Sequence, residues 1–154
     1  MSNTKRYMSI LVAAAAVLIA IPAGATPGSG ASSSILARGA ADEKVKSHSN
    51  QPYEDVVQQL PIAPGGHTGW PTHPGNALAV VKSGTLTIYD GDDSSCTGRD
   101  FAAGQVYLDE GRGHVHFGRN LSATAPLEIV VTYLDVPLGG SVRQDAPNPG
   151  NCPF

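Results

Sequence analysis

The amino-acid sequence predicts an all-β protein whose short strands form a sandwich or a barrel. Of its 154 residues, 18 are Gly and 12 are Pro, and so many turn formers disfavour long helices. Short apolar or alternating runs recur from residue 56 onward and are separated by Gly or Pro clusters, a pattern typical of successive strands and turns. We find no helical apolar stripe longer than two turns.

Six runs are the predicted strands, and each is bounded by turn-forming residues. They are residues 56–62, 77–81, 85–89, 105–108, 114–118 and 127–136. Alternation assigns the faces of the third run, because side chains at every second position of a strand point the same way. Leu86 and Ile88 therefore share one face of that strand.

The N-terminal residues 1–25 have the features of a secretory signal peptide. Lys5 and Arg6 precede twelve apolar residues at 10–21, and small residues follow up to Ala25, where we expect cleavage. An uncleaved membrane anchor is the alternative, but a bilayer requires roughly 20 apolar residues. The sequence therefore predicts a secreted or extracytoplasmic protein with no stable membrane association after cleavage.

The mature chain is predicted to be acidic. Cleavage after Ala25 removes two of the 10 basic residues and none of the 13 acidic ones, which leaves 129 residues with a net charge of −5. Proteins that bind nucleic acid usually carry a basic patch that neutralises phosphates. A nucleic-acid partner is therefore not expected.

The mature chain divides into three parts by composition. Residues 26–51 are rich in Ser, Gly and Ala and are predicted to be a flexible leader, with a short helix near 35–41 as an alternative. Residues 52–140 hold the predicted strands in a single domain. Residues 141–154 form a Pro-rich tail.

The two cysteines are predicted to form a disulfide. Cys96 lies in the polar loop 91–98, and Cys152 lies two residues from the C-terminus. In an oxidising compartment two such thiols are most simply paired. This bond would hold the tail against the domain, whereas a free reactive cysteine or a metal ligand is the alternative.

Four of the five histidines form two clusters that suggest a metal site. His67 and His73 lie some 40 residues before His114 and His116, and the last two share one face of a predicted strand. Neutral imidazole binds Zn, Fe, Mn, Ni and Cu, and three such ligands leave a coordination position open. The alternative is that these histidines only hydrogen-bond to the backbone.

Other polar residues give weaker predictions. Asp109 and Glu110 are adjacent, so on a strand they would point to opposite faces and make a poor acid and base pair. Asn120 begins a formal glycosylation sequon with Leu121 and Ser122.

Two segments of the sequence resemble the two motifs of the cupin superfamily. They run Gly65-x5-Pro71-x-His73-x10-Gly84 and from Gly104 to Gly113-x2-His116-x3-Asn120. The resemblance spans roughly residues 56–137. It implies a small double-stranded β-helix, or jelly-roll, barrel whose strands place three His and one Glu around a metal. It also implies that Asn120 supports the barrel and that the protein forms a homodimer.

The sequence departs from the family motifs at the metal-binding positions. Pro71 stands at the first His position, Ala77 at the Glu position, and Gly111 at the position of the second-motif Pro. Only His73 and His116 match the four ligand positions. The remaining histidines suggest a substitute metal site, which consists of His73, His114 and His116, with His67 as an optional fourth ligand.

Three functions are compatible with this sequence. The first is a secreted protein that binds a small molecule in the barrel, together with a divalent metal at an incomplete site. The second is a metal-dependent enzyme of the dioxygenase, isomerase or hydrolase type that uses His73, His114 and His116. The third is a non-catalytic structural or dimerising domain, in which faces such as that of Val115 and Phe117 pack against a second copy.

Overall fold

The computed structural model describes residue 24, residues 26–41 and residues 51–154, with the side chains of 36–41 excepted. Apart from Gly24, the predicted signal peptide 1–25 lies outside the described residues, and so does His48. In the described part of the chain we find no helix long and apolar enough to cross a membrane.

The described chain consists of β-strands joined by turns. The strands are β1 (Ser29–Ala31), β2 (Ser34–Ala41), β3 (Tyr53–His67), β4 (Pro71–Thr72), β5 (Ala77–Ser83), β6 (Thr85–Asp90), β7 (Arg99–Ala102), β8 (Val106–Asp109), β9 (His116–Arg119), β10 (Leu127–Pro137) and β11 (Gln144–Asp145). The prediction of an all-β fold is confirmed.

Seven of these strands form a nearly closed antiparallel barrel. Their order is β7-β6-β9-β3-β10-β5-β8, and β1 and β2 pair with β3. The two ends of this path meet where the ring of Phe101 on β7 contacts that of Tyr107 on β8, with 5.4 Å between their centroids. A separate two-stranded sheet joins β4 to β11.

The interior of the barrel is filled by inward side chains, which alternate with outward side chains along each strand. On β10, burial alternates from Leu127 through Ile129 and Val131 to Tyr133, and Ile129 and Val131 lie opposite Val81 and Ala79 of β5. Each fully buried aliphatic side chain contributes about 1.5–3 kcal/mol to folding. The period of two in the sequence therefore specifies which residues face the interior.

The segment 29–41 differs from the predicted flexible leader and its alternative short helix. It forms β1 and β2, which pair antiparallel with β3, for example Ser34 with Gln59 and Ala41 with Tyr53. Strand β3 has 15 residues and β10 covers one of its edges, whereas β9 pairs with the other edge only at His67. Pairing to the remaining edge requires only backbone groups, so a Ser- and Ala-rich segment is able to supply it.

The C-terminal tail is tied to the barrel at both ends. Strand β11 pairs with β4, and the disulfide Cys96–Cys152 joins the tail to the loop between β6 and β7. Beneath the disulfide, Trp70, Phe117 and Cys152 form a second buried apolar cluster. The tail is therefore a wall of the folded domain.

Replacing both cysteines by serine is expected to lower the free energy of unfolding by about 4 kcal/mol, because the bond closes a long loop in the unfolded chain. The residues that it joins are separated by 56 positions. Urea unfolding of the wild type and of the double variant Cys96→Ser/Cys152→Ser would measure the loss. Dithiothreitol should destabilise the wild type and leave the variant unchanged. Equal midpoints without reductant would show that the disulfide contributes no stability.

Candidate metal-binding pocket

His73 lies directly after β4, and its side chain points into the barrel. Its ring is 7% exposed, and its Nδ1 lies 2.6 Å from the carbonyl oxygen of Val142 in the tail. Because a carbonyl only accepts hydrogen bonds, Nδ1 carries the proton and Nε2 presents its lone pair. Burial, followed by the nearby charge of His116, lowers the pKa of His73 to about 4. The imidazole is therefore neutral at neutral pH, as a metal ligand must be.

His116 is the first residue of β9, where it lies opposite Asp90 of β6. Its ring is buried, and its centroid lies 5.3 Å from that of His73 and 5.5 Å from that of Tyr107. Its Nδ1 lies 3.4 Å from Asp109 Oδ1 but has no hydrogen-bond partner of good geometry among the described residues. A buried nitrogen without a partner is costly, so this position favours a bound ligand.

Asp109 is the last residue of β8, and its carboxylate is almost completely buried. Its Oδ2 accepts a hydrogen bond of 3.1 Å from the backbone nitrogen of Gly111, and its Oδ1 lies 2.6 Å from Nδ1 of His114. Burial raises the pKa of Asp109, but the interactions with His116 and His114 outweigh this effect and lower the pKa to about 2. Asp109 is therefore an ionised carboxylate inside the barrel.

Together these three residues form a group that could hold a metal ion. One ligand atom from each of His73, Asp109 and His116 lies within 4.8 Å of the others. Two imidazoles and a carboxylate suit Zn, Fe, Mn, Ni or Cu and leave coordination positions open. The structure therefore brings His73 and His116 together, as the motifs predicted, and adds Asp109.

His114 belongs to the surroundings of this cluster. Its ring is stacked beside that of His116 at 5.9 Å, so the two do face the same way. However, Asp109 Oδ1 accepts a hydrogen bond from its Nδ1, and its Nε2 lies 3.5 Å from Asp90 Oδ1. Both ring nitrogens are thus directed to carboxylates, and His114 orients Asp109.

His67 lies away from the cluster. Its ring stacks on Phe117 at 4.8 Å, and its Nδ1 accepts a hydrogen bond of 3.0 Å from the backbone of Gly69. Phe117 follows His116 on β9 and therefore points to the opposite face of that strand. Burial and the charge of Arg119 lower the pKa of His67. The structure does not place it as a fourth ligand.

The two residues that replace family ligands line the same pocket. Pro71 and Ala77 are buried in its wall, and the cavity measures about 450 Å³ including its opening. Each replaces a polar ligand group by apolar surface. The pocket therefore offers three candidate metal ligands, with apolar surface at the two other motif positions.

Asp109 is the site residue that the sequence analysis missed. On β8, burial alternates so that Tyr107 and Asp109 are buried and Val106 and Leu108 are exposed. The two aliphatic residues of this strand therefore face outward and the carboxylate faces inward, which is the reverse of the usual apolar-in alternation. No local signal in the sequence identifies Asp109 as an inward residue.

The motif glycines and Asn120 shape the turns around the site. All four motif glycines have positive φ angles, and a Cβ on Gly84 would lie 3.0 Å from the carbonyl oxygen of Pro126. These glycines are Gly65, Gly84, Gly104 and Gly113. The amide nitrogen of Asn120 is buried and donates to the carbonyl oxygens of Ile62, Ala63 and Ala125. Asn120 thus ties the loop between β9 and β10 to β3.

Comparisons with known proteins identify the fold. No protein-family model matches the chain, and no curated protein matches it. The structure is similar to a cupin-like protein of Thermotoga maritima at 16% identity, with a TM-score of 0.56 over 79% of this chain and 80% of that chain. A cupin superfamily protein of Desulfitobacterium hafniense gives 15% identity and a TM-score of 0.48, covering 66% of this chain and 74% of that one. A cupin domain of Bordetella pertussis gives 21% identity and a TM-score of 0.47, covering 67% and 91%.

The Thermotoga maritima match agrees with the nearly closed antiparallel barrel and with the two sequence motifs. The predicted jelly-roll barrel is confirmed, and the chain has the fold of the cupin superfamily.

Proposed function

We propose that this protein binds a divalent metal ion through His73, Asp109 and His116 and a small molecule in the pocket beside it. The observation that carries the proposal is the convergence of three buried ligand atoms within 4.8 Å. The pocket beside these ligands is lined by apolar side chains such as those of Leu86 and Ile129, with few polar groups, as is usual for small-molecule sites.

The surroundings of the three residues support metal binding. Metal-ligating histidines usually donate their second ring nitrogen to a carbonyl or carboxylate, which fixes the tautomer and the ring orientation. Val142 does this for His73, while Gly111 and His114 hold the two oxygens of Asp109. The buried hydroxyl of Tyr107 has no hydrogen-bond partner among the described residues, which leaves a donor for a bound molecule.

A metal-dependent enzyme is the second candidate, because three protein ligands leave coordination positions for substrate and water. A metal bound there would supply a Lewis acid or a redox centre. Dioxygenase, isomerase and hydrolase chemistry all remain compatible with this ligand set, and the fold does not select among them.

Secretion is part of the proposal. The features of residues 1–25 are those of a signal peptide, and disulfides such as Cys96–Cys152 form and persist in oxidising compartments.

Metal titration of the mature protein is expected to give one binding site per chain for Zn²⁺ or Mn²⁺. His116→Ala and Asp109→Asn each remove a ligand and should weaken binding by roughly 100-fold or more, beyond the effect of losing an orienting partner. Calorimetry after treatment with a chelator would measure this. The control is His67→Ala, which should bind as the wild type does. Equal weakening in all three variants would contradict the assignment.

The metal-free protein is expected to lose stability as pH falls from 6.5 to 4. The pKa of His73 is about 4 in the folded protein against 6.5 when unperturbed, so the unfolded chain binds the proton more readily. The contribution of His73 to the free energy of unfolding is complete above pH 6.5 and amounts to about 3 kcal/mol at most. Chemical denaturation across this range would measure the slope. The slope should be shallower in His73→Gln, and equal slopes would contradict the prediction.

A homodimer is also proposed, through the outer face of β5 and β8. Phe117, one of the residues expected to dimerise, is buried against Trp70. By contrast, Val80, Val106 and Leu108 are 43%, 48% and 59% exposed, and β8 ends the sheet. The register places Val80 beside Val106, so the exposed side chains form one apolar patch.

Light scattering of the mature protein is expected to give a dimer that the double variant Val106→Lys/Leu108→Lys converts to a monomer, because charge on the patch opposes its burial. Leu121→Lys, at an exposed leucine outside the patch, is the control and should leave the dimer intact. A wild-type monomer at high concentration would contradict the proposal.

A further inference from the structure

A second, larger cavity adjoins the barrel pocket, and we name it the vestibule. The vestibule measures about 860 Å³ including its open side and is walled by the segment 27–33, by β3 and by the tail residues 141–145. Four residues line both cavities: Leu60, Thr68, Tyr133 and Arg143. The pocket and the vestibule therefore adjoin at these four side chains, which form the junction.

Arg143 is a cation fixed at this junction. Its Nη2 donates to the carbonyl oxygen of Thr68 at 2.7 Å, and its Nε donates to Asp145 Oδ1 at 2.8 Å. Asp145 belongs to β11, whose pairing with β4 holds this part of the tail in place. Within the described residues no hydrogen bond uses Nη1, so one edge of the guanidinium is available to a ligand.

The charge of Arg143 is balanced only in part. The Arg143 and Asp145 side chains are 32% and 38% exposed, and ion pairs of that exposure are weak because solvent screens them. Among the side chains that the structure describes, no lysine and no other arginine lines either cavity. One guanidinium with a weakly held carboxylate matches a single negative charge, whereas the second charge of a phosphate would have no partner.

The interior of the pocket favours an apolar body. The aliphatic residues Ala77, Ala79, Leu86, Ile88, Ile129 and Val131 line it. At its polar side the pocket presents the buried carboxyl group of Asp109, which offers no positive charge to a ligand acid group. A ligand acid group is therefore directed toward Arg143 and away from Asp109.

We propose that the pocket takes a small carboxylic acid, with its carboxylate on Arg143 at the junction and its alkyl or aryl body in the apolar part of the barrel. This inference rests on the proposed small-molecule function and specifies its ligand class. Arg143 lies on the tail, outside both motifs, and is the specificity-determining residue.

The test compares acids with their uncharged amides in the metal-free mature protein. The probes are benzoate against benzamide and hexanoate against hexanamide, which differ in charge but little in size. Calorimetry is expected to show at least 10-fold tighter binding of the acid in one of the pairs, because a charge-assisted hydrogen bond is stronger than a neutral one. Raising the salt concentration should weaken the binding of the acid and leave the binding of the amide unchanged.

Arg143→Gln should abolish the preference for the acid, and Asp145→Asn should increase it by removing the competing carboxylate. The control is Arg112→Gln, since Arg112 also pairs with a carboxylate, that of Asp135 at 3.1 Å, but lines neither cavity. If Arg143→Gln does not fold, the Asp145→Asn result and the salt dependence decide.

Three outcomes would overturn the inference. They are equal affinity for acid and amide, a preference that survives in Arg143→Gln, and no binding of any probe. Metal titration of Arg143→Gln separates this inference from the proposed function. If the wild type binds metal normally but shows no preference for the acid, only the carboxylate class is rejected. If the wild type binds no metal, the metal site itself is rejected.

Discussion

The hydrogen bond between His73 Nδ1 and the carbonyl oxygen of Val142 is the interaction on which the rest of the site depends. It determines which ring nitrogen of His73 carries the proton and thereby turns the other toward the ligand cluster. It also joins the pocket to the tail, since Val142 is a tail residue. Val142 directly precedes Arg143, which lines both the pocket and the vestibule. A single backbone carbonyl thus sets both the chemistry of the interior and the position of the residue that faces the vestibule.

That carbonyl has to be held in place, and several bonds fix the part of the tail that follows it. The pairing of β11 with β4 lies just after Val142, and the disulfide Cys96–Cys152 fixes the end of the chain. The side-chain amide of Asn151 also donates hydrogen bonds to the backbone oxygens of Asp90 and Asp93, which strengthens this anchor. The tail is therefore part of the site, although it lies beyond the two motifs. Its anchoring explains why a loop-rich C-terminus is able to position buried groups.

The sequence predicts the barrel well because its signals are local. Gly and Pro mark the turns, and an apolar pattern with a period of two residues marks the strands. It also predicts His73 and His116, which stand at motif positions. It does not predict β1 and β2, because their pairing depends on the unpaired edge of β3 and not on their own side chains. It assigns His114 to the metal because two imidazoles share a face, but the position of Asp109 beside them depends on how the turn after β8 brings that strand end back to β9. Such choices between neighbouring groups follow from three-dimensional contacts that spacing does not encode.

Pro71 and Ala77 stand where the first motif has metal ligands, yet a buried carboxylate still lies inside the barrel beside two imidazoles. Asp109 carries a buried charge, and its contacts are two imidazoles and one backbone amide. Among the described residues no lysine or arginine nitrogen lies within 4.0 Å of its carboxylate. The imidazole of His73 is held neutral by burial, so it offers a lone pair in place of a charge. A buried carboxylate beside an available lone pair is stabilised most by a divalent ion that binds both. In the proposed metal site the carboxylate ligand therefore comes from β8 and not from β5, and Pro71 and Ala77 place apolar surface where the motif ligands would lie.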